Sequence, residues 1–308
     1  MGGVPPDWLL HPATLALLGL AIGSFLNVVI HRLPLMLERQ WWNDVVHQLS
    51  DAESYRRVFG LAPPASISTT SSGLGESIRG LQHLGLARPA SRCPTCQHRI
   101  RPHENIPVLS WLMLRGRCSA CKATISLRYP LVELLCAMLF AAIGWRFGAQ
   151  PVALLWCAFV ATLIALSMID WDTTVLPDAM TLPLLWAGLL AAMLGWTVPL
   201  TVAVIGACAG YLSLWTVYWF FKLATGKEGM GYGDFKLLAA LGAWLGWQAL
   251  LPIILVASVL GAVIGILMKI SGALREGRYV PFGPFLAGAG VLLVLVGTPT
   301  ALGWIGWA

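Results

Sequence analysis

One carboxylate, Asp234, has a sequence context suited to chemistry. It follows Gly231-Tyr-Gly233 and stands directly before an apolar run that extends to residue 251. A carboxylate at the edge of a membrane segment is costly unless it has a partner, water or a reaction to serve. The two glycines leave out side chains where another backbone could approach closely. The pattern predicts that Asp234 acts with a second group, and that Gly231 and Gly233 make room for the backbone of a substrate.

Three other carboxylates are candidates for that second group: Asp170, Asp172 and Asp178. Two carboxylates that share one proton can activate water against an amide, because their repulsion keeps one protonated while the other is ionised. Asp178 follows Pro177, so it equally suits the first turn of a helix, where a carboxylate stabilises the helix dipole. Asp172 equally suits a solvated loop. Spacing alone does not choose between Asp170 and Asp178 as the partner of Asp234.

Two CxxC motifs form a second set of residues with chemical potential. Cys93 and Cys96 are separated from Cys118 and Cys121 by residues 97–117. Two such turns can bring four thiolates together tetrahedrally, which favours a zinc site over a redox pair. Two disulfides are the alternative, but a cytoplasmic location disfavours them. Four protein ligands would close the coordination sphere, so the predicted zinc is structural.

The composition is that of a membrane protein, with 57% hydrophobic and 11% charged residues. Apolar runs of roughly 17–22 residues recur, which is the length that spans about 30 Å of hydrocarbon. We therefore predict an all-α polytopic membrane protein of about eight transmembrane helices, embedded in the lipid bilayer. The predicted spans are 12–30, 130–147, 151–169, 179–196, 201–221, 235–250, 251–268 and 284–303.

The positive charges indicate the orientation. Most of the 20 Lys and Arg residues lie at 32–128, and smaller groups lie at 222–236 and 269–278. Basic loops are preferentially cytoplasmic, so these three regions are predicted inside and both termini outside. All four aspartates then lie at the cytoplasmic face. The net charge of +6 is a topology signal, and no nucleic-acid partner is expected.

The chain divides into three predicted parts. Residues 1–31 hold the first transmembrane helix, 32–129 form a cytoplasmic domain with the two CxxC motifs, and 130–308 form a seven-helix membrane core. Within the second part, 60–90 is rich in Ala, Pro, Ser, Thr and Gly, which predicts a flexible connector. Glu133 stands near the start of the second span, where a carboxylate suits a helix N-terminus.

These motifs, in this order, resemble the type IV prepilin peptidases, the leader peptidases and N-methyltransferases of bacterial pilus and type II secretion systems. The resemblance covers nearly the whole chain, and only the region around 40–90 is enlarged. Besides the two CxxC motifs it includes GSFLNVVIHRLP at 23–34, ENIPVLSWL at 104–112, RYPLVE at 128–133, IDWDTTVLPD at 169–178, GMGYGDFKLLAALGAW at 229–244 and PFGPFLA at 281–287.

The resemblance implies a membrane aspartyl protease of the GxGD type, with Asp170 and Asp234 as the catalytic pair and Asp178 in support. It implies cleavage of the basic leader from prepilins and pseudopilins at the cytoplasmic face of the bacterial inner membrane. The new N-terminal residue would then be methylated with S-adenosylmethionine. Cys93, Cys96, Cys118 and Cys121 match the zinc-binding positions of the family.

Three alternatives stay open at this point. The first is a peptidase without methyltransferase activity, because no soluble methyltransferase glycine loop is visible and no methyl-donor residue can be named. The second is a proton-coupled transporter that uses Asp170 and Asp234 as proton sites, although a transporter should place polar groups near the bilayer midplane. The third is an inactive assembly scaffold built on the zinc loop.

Overall fold

The computed structural model describes residues 7–272, 280–304 and 306, and within these residues the regular secondary structure is helical apart from two isolated β-bridges. The predicted all-α class is confirmed. The α-helices are α1 (Pro12–Ser50), α2 (Ala52–Phe59), α3 (Ala65–Arg79), α4 (Leu109–Met113), α5 (Arg128–Phe147), α6 (Val152–Thr173), α7 (Asp178–Met193), α8 (Leu200–Thr225), α9 (Tyr232–Leu245), α10 (Leu250–Ile270), α11 (Gly283–Val296) and α12 (Thr298–Trp304).

Each of the eight predicted spans contains a helix, but the helices differ in length. Five of the described helices are long and apolar enough to cross a membrane, and the bent pair α11 and α12 would make a sixth. The predicted single span 284–303 is wrong in this respect, because α11 and α12 meet at 109°. Gly297 lies between them with φ +96°, which glycine adopts without strain. Helices α7 and α9 are shorter, at 16 and 14 residues.

Helix α1 continues well past its predicted end at residue 30 and is 39 residues long, passing through Pro34 without a break. At 1.5 Å per residue it extends roughly 58 Å, about twice the thickness of the hydrocarbon core. Its apolar half packs on α5 where two glycines face that helix. A Cβ on Gly19 would lie 2.7 Å from the Cα of Ala137, and one on Gly23 would lie 2.7 Å from the Cα of Glu133.

Helix α3 occupies part of the region that composition predicts to be a flexible connector. Its hydroxyl side chains bond to carbonyls one turn back, such as Ser72 to Ser68 at 2.7 Å, so they do not compete for the helical N–H groups. Gly75 of α3 faces Val46 of α1, and a Cβ at this position would lie 3.3 Å from the Val46 side chain. Packing against α1 therefore orders a segment whose composition alone favours disorder.

Helix α9 forms the centre of the membrane core. Nearly all of its residues from Asp234 to Leu245 are buried. On one side the backbones of Gly206 in α8 and Gly242 in α9 touch. On another side the Trp244 indole N–H donates a 2.8 Å hydrogen bond to the carbonyl of Leu184 in α7.

Consecutive membrane helices run in opposite directions. The end of one helix therefore lies at the same face of the protein as the start of the next. At one face Asp170, at the end of α6, meets Gly283 at the start of α11, and Asp172 forms an ion pair with Arg128 at the start of α5. At the opposite face Gly144, near the end of α5, packs on the first residue of α1. We call the face that carries Asp170, Asp234 and Gly283 the carboxylate face.

Candidate active site

Asp170 lies in the last turn of α6 and is 5% exposed. The helix ends at Thr174, which has a left-handed conformation and donates its N–H to the carbonyl of Asp170 at 2.8 Å. The side chain points toward α11, where its Oδ2 accepts a 3.1 Å hydrogen bond from the backbone N–H of Gly283. The aspartate is thus held by the ends of two helices that are far apart in sequence.

Asp234 lies in the first turn of α9 and is 7% exposed. Gly231 precedes this helix in an extended conformation, and its carbonyl accepts the N–H of Asp234 at 3.2 Å. Leu176 lies against both Gly233, which precedes Asp234, and Gly283, which binds Asp170, so the two carboxyl groups lie in the same region of the carboxylate face. Among the described residues neither Asp170 nor Asp234 has a cationic partner within 4.0 Å. Two buried, unpaired carboxyl groups in one place are the arrangement that proton-sharing catalysis requires.

Leu176 fills the space between the segments that carry the two aspartates. A Cβ at Gly233 would lie 2.7 Å from the Cβ of Leu176, and one at Gly283 would lie 3.1 Å from its Cδ1. Gly231 differs, because its nearest surrounding atoms are 4.0 Å away from such a Cβ. Gly233 therefore faces a side chain of the same protein, whereas space remains open beside Gly231.

The other two candidate carboxylates have partners and are accessible. Asp178 forms a 2.7 Å ion pair with Lys236 of α9, and Asp172 forms one of 2.7 Å with Arg128. Asp178 begins α7, as its position after Pro177 predicts, and its side chain is 55% exposed. The geometry groups Asp234 with Asp170 and places Asp178 at the edge of the site.

A cluster on α8 holds the loop that leads to Asp234. Lys222 donates hydrogen bonds to Glu228 at 2.8 Å and to the hydroxyl of Tyr218 at 3.1 Å. The Tyr218 ring is buried, and its centroid lies 5.3 Å from that of Tyr232, which begins α9. These contacts support the start of α9 from outside the carboxylate pair. Sequence reasoning missed them, because the cluster has no recognisable spacing.

The four cysteines converge as their spacing predicts. Their sulfur atoms all lie within 4.8 Å of one another, with 3.8 Å between Cys93 and Cys121 and 4.0 Å between Cys96 and Cys118. Sulfurs bound to one tetrahedral zinc ion lie roughly 3.8 Å apart, whereas those of a disulfide are about 2.05 Å apart. The spacing fits a metal site, and all four thiols are free.

The two CxxC turns have the same backbone geometry. Each first cysteine accepts an N–H from a residue with positive φ, Gln97 at 58° and Lys122 at 61°. The N–H groups of Cys96 and then Thr95 lower the pKa of Cys93 to about 6, which favours its thiolate. The His98 N–H also favours the Cys96 thiolate, but burial and bonds with the other thiols outweigh it and raise the pKa of Cys96 to about 11. A bound dication would remove this competition among the thiols.

Two glutamates connect the cysteine cluster to its surroundings. The Arg101 N–H, and next the Ser119 hydroxyl, lower the pKa of Glu104 to about 2, so this carboxylate joins both turns. Glu133 of α5 is buried and accepts the Val108 N–H at 2.7 Å. It therefore binds a loop. The predicted place at a helix N-terminus is wrong, because α5 begins at Arg128 and has no acidic residue in its first turn. The feature of the sequence that could have indicated the contact with Val108 is the position of Glu133, a carboxylate inside an apolar run.

Comparison with known proteins decides the family. The family described as Bacterial Peptidase A24 N-terminal domain matches residues 17–147, and the Type IV leader peptidase family matches residues 157–266. The chain is 52% identical over 280 residues to a Prepilin leader peptidase/N-methyltransferase of Pseudomonas putida, covering 91% of this chain and 88% of that protein. The chain belongs to the type IV leader peptidase family.

Further relatives in this family carry the same name. The protein of Stutzerimonas stutzeri is 49% identical over 291 residues, which cover 94% of this chain and 92% of that protein. The protein of Pseudomonas aeruginosa is 49% identical over 281 residues, covering 91% and 89%. No solved structure is significantly similar to the chain. The N-terminal match contains the four cysteines, and the leader peptidase match contains both buried aspartates.

Proposed function

We propose that this protein removes the basic leader peptide from type IV prepilins and type II secretion pseudopilins, and then N-methylates the new N-terminal residue. The observation that carries the peptidase assignment is the buried pair of Asp170 and Asp234, which lies at one face and has no cationic partner among the described residues. The name shared by relatives about 50% identical supports both activities.

The catalytic pair works as one unit. With one proton shared between Asp170 and Asp234, the ionised carboxylate accepts a proton from water as that water attacks the scissile carbonyl. The protonated carboxyl donates its proton to the leaving amine when the tetrahedral intermediate breaks down. The Gly283 N–H orients the Oδ2 of Asp170 throughout. The ion pair of Asp178 with Lys236 supports the first turn of α9 from the edge.

The composition of a prepilin determines its position in the membrane. An apolar helix enters the bilayer, a basic leader stays in the cytosol, and the scissile bond lies at the boundary between them. For this bond to meet the pair, the carboxylate face is cytoplasmic, which agrees with the basic regions at 32–128 and 222–236. The open space beside Gly231 admits the substrate backbone.

This orientation makes the protein a multi-pass enzyme of the bacterial inner membrane with eight crossings, in which α7 and α9 are short crossings of the core. Residues 1–31 provide the first crossing, 32–129 the cytoplasmic domain and 130–308 the membrane core. Both aspartates lie near helix ends, which is a poor arrangement for a transporter with a midplane site.

Zinc and S-adenosylmethionine have separate roles. Cys93, Cys96, Cys118 and Cys121 would hold the zinc ion, which links the two CxxC turns and leaves no coordination position for substrate. S-adenosylmethionine supplies the methyl group when bound. The zinc domain is joined to the membrane helices through Val108 and Glu133, so loss of the metal affects a region in contact with the core.

The test measures the two activities separately. Purified protein in lipid nanodiscs is given a prepilin to follow cleavage, and a synthetic peptide that already has the mature N-terminus to follow methyl transfer from S-adenosylmethionine. Asp170→Asn and Asp234→Asn should each abolish cleavage and leave methylation of the cut peptide. Asp44→Asn, an exposed position on α1, is the matched control.

Normal cleavage by either active-site variant would overturn the aspartyl mechanism. Cleavage by the parent protein without methyl transfer to the cut peptide would leave a peptidase alone.

A further inference from the structure

Two adjoining clefts on the cysteine domain are lined by arginine. The larger is about 620 Å³ and includes His83, Arg88, Arg92 and Arg99, and the smaller, about 430 Å³, includes Arg99 and Arg101. Among the described residues, no Asp or Glu lines either cleft. We call this surface the arginine cleft. In the part of the chain that the structure describes, none of its guanidinium groups has a carboxylate within 4.0 Å; the nearby Glu104 binds the backbone N–H of Arg101.

The closest pair of arginines is held together by the backbone. Arg92 and Arg99 form an antiparallel β-bridge at the first CxxC turn, so their side chains leave the backbone on the same side. Like charges directly opposite one another are destabilising. The second turn forms the equivalent bridge with Arg117 and Thr124, so the CxxC fold does not require two arginines here. An anion between Arg92 and Arg99 would offset their repulsion.

The arginine cleft lies at the level where α1 leaves the apolar region. Arg32, the second residue after the apolar run, is buried and donates to the carbonyls of Gly85 at 2.9 Å and Leu86 at 3.3 Å. Seven residues further on, Arg39 donates to the carbonyl of Gln82 at 2.9 Å. Seven helical residues rise about 10 Å, and the headgroup layer is roughly 5–7 Å thick on each side of the bilayer. Residues 82–86, at the edge of the cleft, thus lie in the headgroup layer or just outside it on the aqueous side.

We propose that the arginine cleft binds the phosphate of an anionic phospholipid headgroup. Guanidinium groups match phosphate oxygens in a bidentate way, and basic residues at a membrane surface are attracted to anionic lipid. A basic leader peptide would be repelled here. The methyl donor fits poorly, because its sulfonium and ammonium groups are cationic and no Phe, Tyr or Trp of the described chain lines the cleft for its adenine.

Lipid bound at this position would fix the cysteine domain against the bilayer beside α1. The inference requires only that α1 crosses the membrane, and it is independent of the peptidase chemistry.

The test counts bound lipids. Full-length protein in detergent is titrated with dioleoyl phosphatidylglycerol or dioleoyl phosphatidylcholine, and the complexes are resolved by native mass spectrometry. The parent protein should bind phosphatidylglycerol more tightly than phosphatidylcholine. The double variant Arg92→Gln/Arg99→Gln should bind phosphatidylglycerol about tenfold or more weakly than the parent, since each basic residue near a membrane surface contributes roughly 1 kcal/mol. The matched control is Arg56→Gln/Arg57→Gln, which removes the same charge from exposed positions on α2. Unchanged zinc content in both double variants would establish that the domain is folded.

Three results would overturn the proposal. The first is equal binding of the two lipids by the parent protein. The second is an equal loss of phosphatidylglycerol affinity in the two double variants, which would reveal a general charge effect. The third is binding of inorganic phosphate as tight as that of phosphatidylglycerol, which would assign the cleft to a free anion.

Discussion

The Oδ2 of Asp170 accepts a 3.1 Å hydrogen bond from the backbone N–H of Gly283, which lies 113 positions further along the chain. A Cβ at that position would lie 2.5 Å from the same oxygen, so any other residue would displace the carboxylate from this place. The first residue of α11 therefore determines where a carboxylate of α6 can lie. The hydrogen bond thus connects a backbone N–H that is distant in sequence to the proposed catalytic pair.

Gly283→Ala should reduce prepilin cleavage at least tenfold, because the added methyl group displaces the carboxylate of Asp170. The initial rate of cleavage by purified protein in nanodiscs measures this effect. Gly288→Ala is the matched control in the same helix, since nothing lies within 4 Å of a Cβ at that position. Equal rates for the two variants would show that the approach of Gly283 to Asp170 has no catalytic importance.

Gly233→Ala should also slow cleavage, but for a different reason: its methyl group would lie 2.7 Å from the Cβ of Leu176. Removing the obstructing side chain should relieve the clash, so Gly233→Ala/Leu176→Ala should be faster than Gly233→Ala alone. The three variants and the parent form a double-mutant cycle in cleavage rate. Additive effects of the two substitutions would mean that Gly233 serves the substrate backbone and not packing on Leu176.

Asp178→Asn should slow cleavage less than about fivefold. The ion pair of Asp178 with Lys236 is partly exposed, and such pairs contribute about 0–1 kcal/mol. Asp170→Asn, in contrast, removes one of the two proton-carrying groups. The ratio of the two variants' cleavage rates, measured side by side, distinguishes support from catalysis. A loss in Asp178→Asn as complete as that in Asp170→Asn would place Asp178 in the catalytic unit.

The sequence predicts local features better than it predicts which residues distant in sequence come together. The CxxC spacing predicts the convergence of four cysteines, and hydrophobic run length predicts a helix in every expected span. The proposed pairing of Asp234 with Asp170 instead of Asp178 does not follow from spacing, because it rests on the contacts of Lys236 and Gly283, which are distant in sequence. Only the family resemblance pointed to Asp170 beforehand.

Tertiary packing accounts for the departures from prediction. Helix α3 forms in a region of disorder-favouring composition because Gly75 packs on Val46 of α1. Helix α12 bends away from α11 at Gly297, which adopts a positive φ; Gly297 with Pro299 is a helix-stop signal that the length of the apolar run alone does not show. Only the order of α3 depends on a contact that residue type leaves open.

Removing thiols in pairs should remove the metal. Cys93→Ser/Cys118→Ser should lower zinc from about one ion per chain to near zero, because two weak hydroxyl ligands replace thiolates. Inductively coupled plasma mass spectrometry of purified protein measures the content. Cys208→Ser, at an exposed position on α8, should retain zinc. Equal zinc in parent and double variant would contradict a metal site at the cysteine cluster.

The contact of Glu133 with Val108 should stabilise the junction between the cysteine domain and the membrane helices. Val108 has φ 59° and ψ −49°, an unusual conformation for a β-branched residue, and its N–H donates to Glu133 at 2.7 Å. Glu133→Ala leaves that N–H without its acceptor, a change that costs about 1–3 kcal/mol. We expect faster cleavage by added protease within residues 105–117 and a lower midpoint of thermal unfolding.

Two further variants separate the hydrogen bond from the strain at Val108. Glu133→Gln keeps an oxygen acceptor and should restore most of the protease resistance that Glu133→Ala loses. Val108→Gly removes the penalty of positive φ and should reduce the effect of Glu133→Ala when the two are combined, because the loop then needs less support. If Glu133→Gln were as sensitive to protease as Glu133→Ala, the negative charge and not the hydrogen bond would maintain this junction.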